Sequence, residues 1–244
     1  MIVAKKTPLF ETVFDVYTRR LLRRHFHAVH VRGEENILPD CTRLPVILYG
    51  NHNCWWDAIL PYYLSRDVLR LDAYAMMDER QLRRYRFFRR IGVFSVNRDS
   101  PRQALEAVRY AASLLAKGGK ALWMYPQGEM TPYTTSLAPF ESGIVRIAQL
   151  AGGAMAHPFA VRYEFRREQR PEAFVSFGPG LAIGESDDVK AVLARLRCAL
   201  QNLMQDQAEA LAADETKDYH VALHGRNSVN SRFDAFARIF VQRP

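Results

Sequence analysis

The sequence predicts a single α/β domain with a largely parallel sheet flanked by helices and preceded by an N-terminal amphipathic helix. Three observations carry this. Short apolar runs bounded by Gly, Pro and Asn alternate with longer stretches of three- and four-residue apolar spacing, the pattern of strands joined by helices. The chain has 244 residues, 48 % hydrophobic and 25 % charged, which is enough for one sizeable core in a globular balance. No run approaches the roughly 18 consecutive apolar residues of a bilayer span, so a membrane would be met from its surface.

Residues 9–30 read as a helix, because Phe10, Val13, Phe14, Tyr17, Leu21 and Leu22 recur at helical spacing. Arg19, Arg20, Arg23 and Arg24 cluster in its second half. Such a helix either lies on an anionic membrane or packs on the domain with its arginines solvated. Val31 to Asp40, with Gly33 and Pro39, reads as a turn or short edge strand. Leu44 to Tyr49 is the first strand, and Ala58 to Leu64 opens a helix. Leu71 to Met77 is the second strand. Residues 79–90 carry six arginines interleaved with aromatics. That segment suits nucleic acid, lipid phosphates or a solvated helix face.

Gly92 to Val96 is a short strand ending at Asn97-Arg98. Ser100 and Pro101 are an N-cap and a first helical residue, for a helix running to about Lys117 and stopped by Gly118-Gly119. Ala121 to Tyr125 is a buried strand that ends in Pro126-Gln127-Gly128-Glu129. Ser142 to Leu150 reads as a helix, Ala154 to Tyr163 and Phe174 to Phe177 as strands. Ser186 is the expected N-cap of a long helix to about Ala213. A loop at Asn227–Ser231 precedes a short amphipathic tail with Phe233, Phe236, Ala237 and Phe240. The chain therefore divides into a helical element over 1–30, a central domain over 31–213 and a tail over 214–244.

The formal net charge of +8 suggests an anionic partner: nucleic acid, a membrane surface or a phosphorylated small molecule. Cys41, Cys54 and Cys198 are scattered and lack CxxC spacing, so neither a disulfide framework nor a zinc site is expected, in keeping with a reducing compartment. The N-terminus lacks the features of a signal peptide. His25, His27 and His30 have no accompanying carboxylate cluster, and no metal is expected. P-loop, GxGxxG and GxSxG patterns are absent.

The stretch with most chemistry is Gly50-Asn51-His52-Asn53-Cys54-Trp55-Trp56-Asp57, at a strand-to-helix junction. A histidine is the usual general base near neutral pH, and a carboxylate can fix its tautomer. On an ideal helix, positions five apart diverge by about 140°. The two meet only if His52 sits on the turn and Asp57 in the first helical turn. By spacing alone, a His52 satisfied by a strand-end hydrogen bond is the commoner outcome. Without a protein nucleophile, such a pair suits direct transfer: the base takes a proton from an alcohol, which attacks an activated acyl carbon. Arg98, after a strand end, can supply positive charge or a surface ion pair.

Four stretches in order resemble the motifs of the glycerophosphate and lysophospholipid acyltransferase superfamily. Asn51-His52-x4-Asp57 resembles the NHxxxxD motif. Gly92-Val93-Phe94-Ser95-Val96-Asn97-Arg98 is similar to the second, Tyr125-Pro126-Gln127-Gly128 to the third (FPEG) and His157-Pro158-Phe159-Ala160 to the fourth. Pro139-Phe140-Glu141-Ser142-Gly143 resembles the PFKxG that follows the third. The resemblance covers roughly residues 30–180. It implies a mixed, largely parallel sheet and O-acyl transfer from acyl-CoA or acyl carrier protein to a lipid hydroxyl, without cofactor or metal. His52 would be the general base and Asp57 its orienting partner. Arg98, Gln127 and Gly128 would bind the acceptor or its phosphate. Beside them, Asn51, Trp55 and Glu129 are candidate substrate-facing residues of this chain; Trp55 and Trp56 suit acyl-chain or sugar contact, or core packing.

The chain also departs from that pattern. Gln127 stands where the superfamily usually has Glu, and Glu129-Met130 where it has Thr-Arg. A lost cation beside an added carboxylate disfavours a phosphate. The expected acceptor is therefore a neutral lipid or glycolipid rather than glycerol 3-phosphate. The alternatives are a lysophosphatidic acid acyltransferase of phospholipid synthesis, and a non-catalytic lipid-binding protein on the same scaffold. Expected partners are the acyl donor and anionic membrane lipids, met peripherally at the cytoplasmic face; nucleic acid is not expected.

Overall fold

Nine strands form one sheet in the computed structural model, which describes residues 1–37, 44–134 and 136–226. They are β1 (Ala28–Arg32), β2 (Val46–Gly50), β3 (Asp72–Asp78), β4 (Val93–Val96), β5 (Lys120–Met124), β6 (Ala154–Glu164), β7 (Glu172–Phe177), β8 (Leu181–Ile183) and β9 (His220–His224). Their order is β4-β3-β5-β2-β6-β7-β1-β9, with β8 pairing to β6. From β4 through β6 all neighbours run parallel; β7, β8 and β9 add antiparallel pairs. The sheet is mixed and largely parallel, as expected.

β2 lies in the middle and is buried along its whole length. Its apolar sequence fits a central strand covered on both faces. Alternate side chains face opposite layers. Val46 and Leu48 join Leu60, Leu64, Trp123 and Phe159 on one side. Ile47 and Tyr49 join Ile144, Leu196 and Leu200 on the other. The second side is covered by α4 (Pro101–Leu115), α5 (Gly143–Leu150) and α6 (Val189–Ala212).

The first side is covered by α1 (Pro8–His25) and a helical run from Trp55 to Val68 that includes α2 (Leu60–Tyr63). Phe14 of α1 meets Tyr62 edge-on at 5.0 Å. Asp15 accepts from the Tyr62 hydroxyl at 2.7 Å, and Arg19 donates to Asp67 at 2.8 Å. One face of α1 is thus fixed to the protein. The opposite face leaves Leu9, Val13, Val16 and Tyr17 exposed. At 100° per residue these four and Arg20, Arg23 and Arg24 fall within a sector of roughly 120°.

Several expectations change. The first helix ends at His25 rather than 30, because Phe26 adopts an extended backbone and begins the approach to β1. The turn or edge strand expected over 31–40 is divided: Val31 and Arg32 end β1, which β9, with no apolar alternation, covers, so β1 is not an edge; Glu34–Asn36 form a 3-10 turn, and residues 38–40 lie outside the described residues. Segment 79–90 breaks into α3 (Glu79–Arg84) and a 3-10 stretch (Arg86–Ile91) at Tyr85, whose ψ of 56° leaves the helical region. The cap of α6 is Asp188, which accepts from Ala191 N–H, rather than Ser186. Among the described residues no helix is long and apolar enough to cross a membrane. The loop and tail expected over 227–240, and Cys41, lie outside the described residues.

Candidate active site

Three loops converge at the carboxyl ends of parallel strands, the edge where open α/β sheets place ligands. They follow β2, β4 and β5. β2 closes with Gly50 against the Phe159 ring; a Cβ there would lie 2.4 Å from it. Asn51 then extends the ladder with its side chain. Its amide donates to Val161 O at 2.8 Å, and its carbonyl accepts from Val161 N at 2.9 Å. Asn51 is 1 % exposed, so it serves the sheet and turns no polar atom toward a substrate. Asn53 donates to the same carbonyl at 2.9 Å.

His52 therefore sits on the turn, and Asp57 is the third residue of the helical run. His52 Nδ1 donates to Asp57 Oδ2 at 2.9 Å. The same oxygen accepts the backbone N–H groups of Asn53 at 2.6 Å and Cys54 at 2.9 Å. Asp57 Oδ1 accepts the Tyr163 hydroxyl at 2.6 Å. Four donors on a side chain with no exposure suit an ionised carboxylate, which only accepts. With Nδ1 as the donor, the lone pair of neutral His52 lies on Nε2, away from Asp57. The imidazole stacks on the Tyr125 ring at 4.3 Å and 17°. The Tyr125 hydroxyl donates to Asp57 O at 2.6 Å, tying the end of β5 to the helical run.

Burial, reinforced by the Asp57 charge, pushes the phenols of Tyr125 and Tyr163 well above their ordinary pKa. Both remain donors near neutral pH. The same two causes raise the Cys54 thiol, so it is a poor nucleophile despite its nearness to His52.

The loop after β5 returns to this pair: Thr131 N–H donates to His52 O at 2.9 Å. Gly128 has φ +77, and a Cβ there would stand 2.2 Å from Arg98 Nη1. Arg98, from the loop after β4, thus lays its guanidinium on the bare backbone of Gly128. Gln127 is 8 % exposed, and its side-chain carbonyl oxygen has no hydrogen-bond partner among the described residues. Glu129 is exposed, as are Met130 (59 %) and Trp55 (55 %). Trp56 packs inward, edge-on to Phe26 at 4.8 Å. Among the described residues no cluster of His, Cys, Asp or Glu could hold a metal ion.

The fold thus brings together His52, Asp57, Gly128 and Arg98. It commits Asn51 to the sheet and leaves Trp55 and Glu129 at the surface. Sequence reasoning did not find Tyr163 or the hydroxyl of Tyr125. Tyr163 lies 106 residues from Asp57. The available clue was strand parity, which puts Phe159, Val161 and Tyr163 on one face of β6.

A sequence model of the acyltransferase family matches residues 28–162. No curated protein matches the chain significantly. Among solved structures, the crystal structure of the 1-acyl-sn-glycerophosphate (LPA) acyltransferase PlsC from Thermotoga maritima superposes with a TM-score of 0.61 at 15 % identity. The alignment covers 81 % of this chain and 79 % of that one. At that identity the likeness is one of fold.

Proposed function

The chain belongs to the acyltransferase family, and from that premise we propose that it moves a fatty acyl group from a thioester donor to a lipid hydroxyl. His52 Nε2 takes the proton of the acceptor hydroxyl. The oxygen attacks the thioester carbonyl carbon, and the C–S bond breaks. The leaving thiolate takes the proton back from the imidazolium, so no covalent enzyme intermediate forms. Asp57 holds the tautomer and balances the charge of the imidazolium. The observation that carries this reading is the bond from His52 to a fully buried, four-donor carboxylate at the strand edge. The donor is acyl-CoA or acyl carrier protein, and no cofactor takes part.

The acceptor we favour has a neutral headgroup, a lipid hydroxyl or the sugar of a glycolipid. Arg98 is a cation beside the site, whereas Glu129 and Met130 in the neighbouring loop offer a carboxylate and a thioether. The buried oxygen of Gln127 asks for a donor, such as a hydroxyl. The second reading, acylation of lysophosphatidic acid, is supported by Arg98, which has no hydrogen bond or ion pair among the described residues. Transfer assays offering lysophosphatidic acid, monoacylglycerol and glycolipid separate the two. A strong preference for lysophosphatidic acid would sink the neutral-acceptor reading. No transfer to any acceptor from either donor would favour a lipid-binding protein without catalysis.

The same proposal puts the protein on an anionic membrane surface, at the cytoplasmic face. The exposed stripe Leu9, Val13, Val16 and Tyr17 with Arg20, Arg23 and Arg24 supports it. The stripe adjoins Phe87, 40 % exposed, whose ring lies 6.1 Å from Phe14. Arg84 and Arg86 are exposed beside it. The arginine-rich segment thereby becomes part of a lipid-facing surface rather than a nucleic-acid site.

A further inference from the structure

We propose that Tyr163 is a positioning residue of the reaction: by donating to the outer oxygen of Asp57, its hydroxyl fixes the carboxylate and limits the negative charge presented to His52. This rests on the reading of His52 as general base.

The two oxygens of Asp57 are served unequally. Oδ2 accepts from His52 and from two backbone N–H groups, all supplied by residues within five positions of Asp57. Oδ1 accepts from Tyr163 at 2.6 Å, and no other donor to it is found among the described residues. That donor comes from β6, the strand beside β2, on the face of the sheet that the helical run covers. Without it, Oδ1 would be a buried anionic oxygen lacking a hydrogen bond, and the carboxylate would be free to rotate about Cβ–Cγ.

Tyr163 is itself held on two sides. Val161, two residues earlier on β6, binds Asn51 and Asn53 through its backbone. The Tyr163 ring packs on Phe26 at 5.7 Å, where the chain leaves α1. The titratable groups facing its hydroxyl are Asp57, Cys54 and Tyr125. It donates to Asp57, and it also stands within hydrogen-bonding reach of the Cys54 thiol. Because burial and the Asp57 charge both raise the phenol, it stays protonated and keeps donating across the neutral range.

The consequence follows from electrostatics. A donor on one carboxylate oxygen draws charge from the other. Removing the Tyr163 hydroxyl concentrates charge on Oδ2, beside His52 Nδ1. The imidazolium is then better stabilised, and the base is protonated to a higher pH. A purely packing role for Tyr163 predicts no such change, because phenylalanine fills the same space.

The test is Tyr163→Phe, read two ways. In acyl transfer, kcat should fall about tenfold with KM for the acceptor within about twofold, and the acidic limb of kcat/KM should move up by about half a pH unit. In NMR, the titration of the His52 ring proton should move up by the same amount. A second variant carries 3-fluorotyrosine at position 163, a stronger donor of nearly the same shape. It should move the titration downward, and it retains the test if Tyr163→Phe fails to fold. Identical His52 titrations in the wild type and whichever variants fold would overturn the proposal. If the titrations shift but no form transfers an acyl group, Tyr163 still limits the charge that Asp57 presents to His52, but the acyltransferase reading falls and with it the catalytic use of that contact. If the wild type transfers and Tyr163→Phe matches it in rate and pH profile, Tyr163 is a packing residue and the reading of His52 stands.

Discussion

Replacing Asp57 with Asn would put an amide N–H or carbonyl where His52 now finds a carboxylate also bound to two backbone donors. The tautomer of His52 would no longer be fixed, and the imidazolium would lose its counter-charge. Acyl transfer should fall about 10²–10⁴-fold in Asp57→Asn and in His52→Ala, measured at saturating donor and acceptor. Activity of His52→Ala within tenfold of wild type would mean that the chemistry lies elsewhere. Gly128 is a second sensitive position. Its φ of +77 already disfavours a side chain, and an added Cβ would collide with Arg98 Nη1. Gly128→Ala should therefore raise KM for the same substrate as Arg98→Ala does, with a further cost of about 1–2 kcal/mol in stability. Away from the site, His30 Nε2 meets Glu172 Oε2 at 2.6 Å, and the hydrogen bond from His30 holds the Glu172 carboxyl below its ordinary pKa. A carboxylate whose folded pKa is depressed stabilises the protein above its unfolded value and loses that contribution as pH falls through the folded one. Glu172→Gln should thus lower the melting temperature at pH 7, with the difference from wild type shrinking below about pH 4.

At the scale of elements, β2 and β6 set the site. Their close approach depends on Gly50, where a Cβ would also stand 2.6 Å from Phe159 O. Gly50→Ala should cost about 1–3 kcal/mol through overpacking, read by denaturant unfolding, and should disturb His52 two residues on. The two-sided character of α1 gives a separate prediction. Leu9→Glu and Val13→Glu lie on the exposed face, so thermal stability should change little. Sedimentation with anionic vesicles should drop severalfold. Unchanged vesicle binding would remove α1 from the lipid-facing surface. Helix periodicity in the sequence marked an amphipathic helix here and its cluster of arginines. It did not separate the protein-facing from the outer apolar residues, because Phe10, Phe14 and Leu22 share the repeat with Val13 and Tyr17. The ion pairs with Asp67 and the contact with Tyr62 decide that, and both partners are distant in the chain.

For the whole molecule, the positive balance and the outer face of α1 act together. The formal net charge of +8 predicts that vesicle binding weakens as salt rises from about 0.05 to 0.5 M, while a binding residue from the apolar stripe persists. The mixed sheet places three loops on one edge, so that residues 52, 98 and 128 become neighbours. This convergence explains how motifs tens of residues apart meet in space: the first three run out of the carboxyl ends of β2, β4 and β5, and the fourth lies within β6 beside β2.

The sequence by itself determined the alternation of strands and helices, the buried strand near 44–49, the His52–Asp57 spacing and the motifs that resemble acyltransferases. These are local patterns, set by side-chain period, caps and turns, and they can be read wherever few residues decide the outcome. It did not determine β8 or β9, which are three and five residues long and owe their extension to β6 and β1 beside them. Nor did it reveal that Asn51 serves the sheet, or that Tyr163 completes the hydrogen bonding of Asp57. Those facts were decided by tertiary structure, because a hydrogen bond needs two groups brought within about 3 Å and only the crossing of β6 past the end of β2 brings these groups that close.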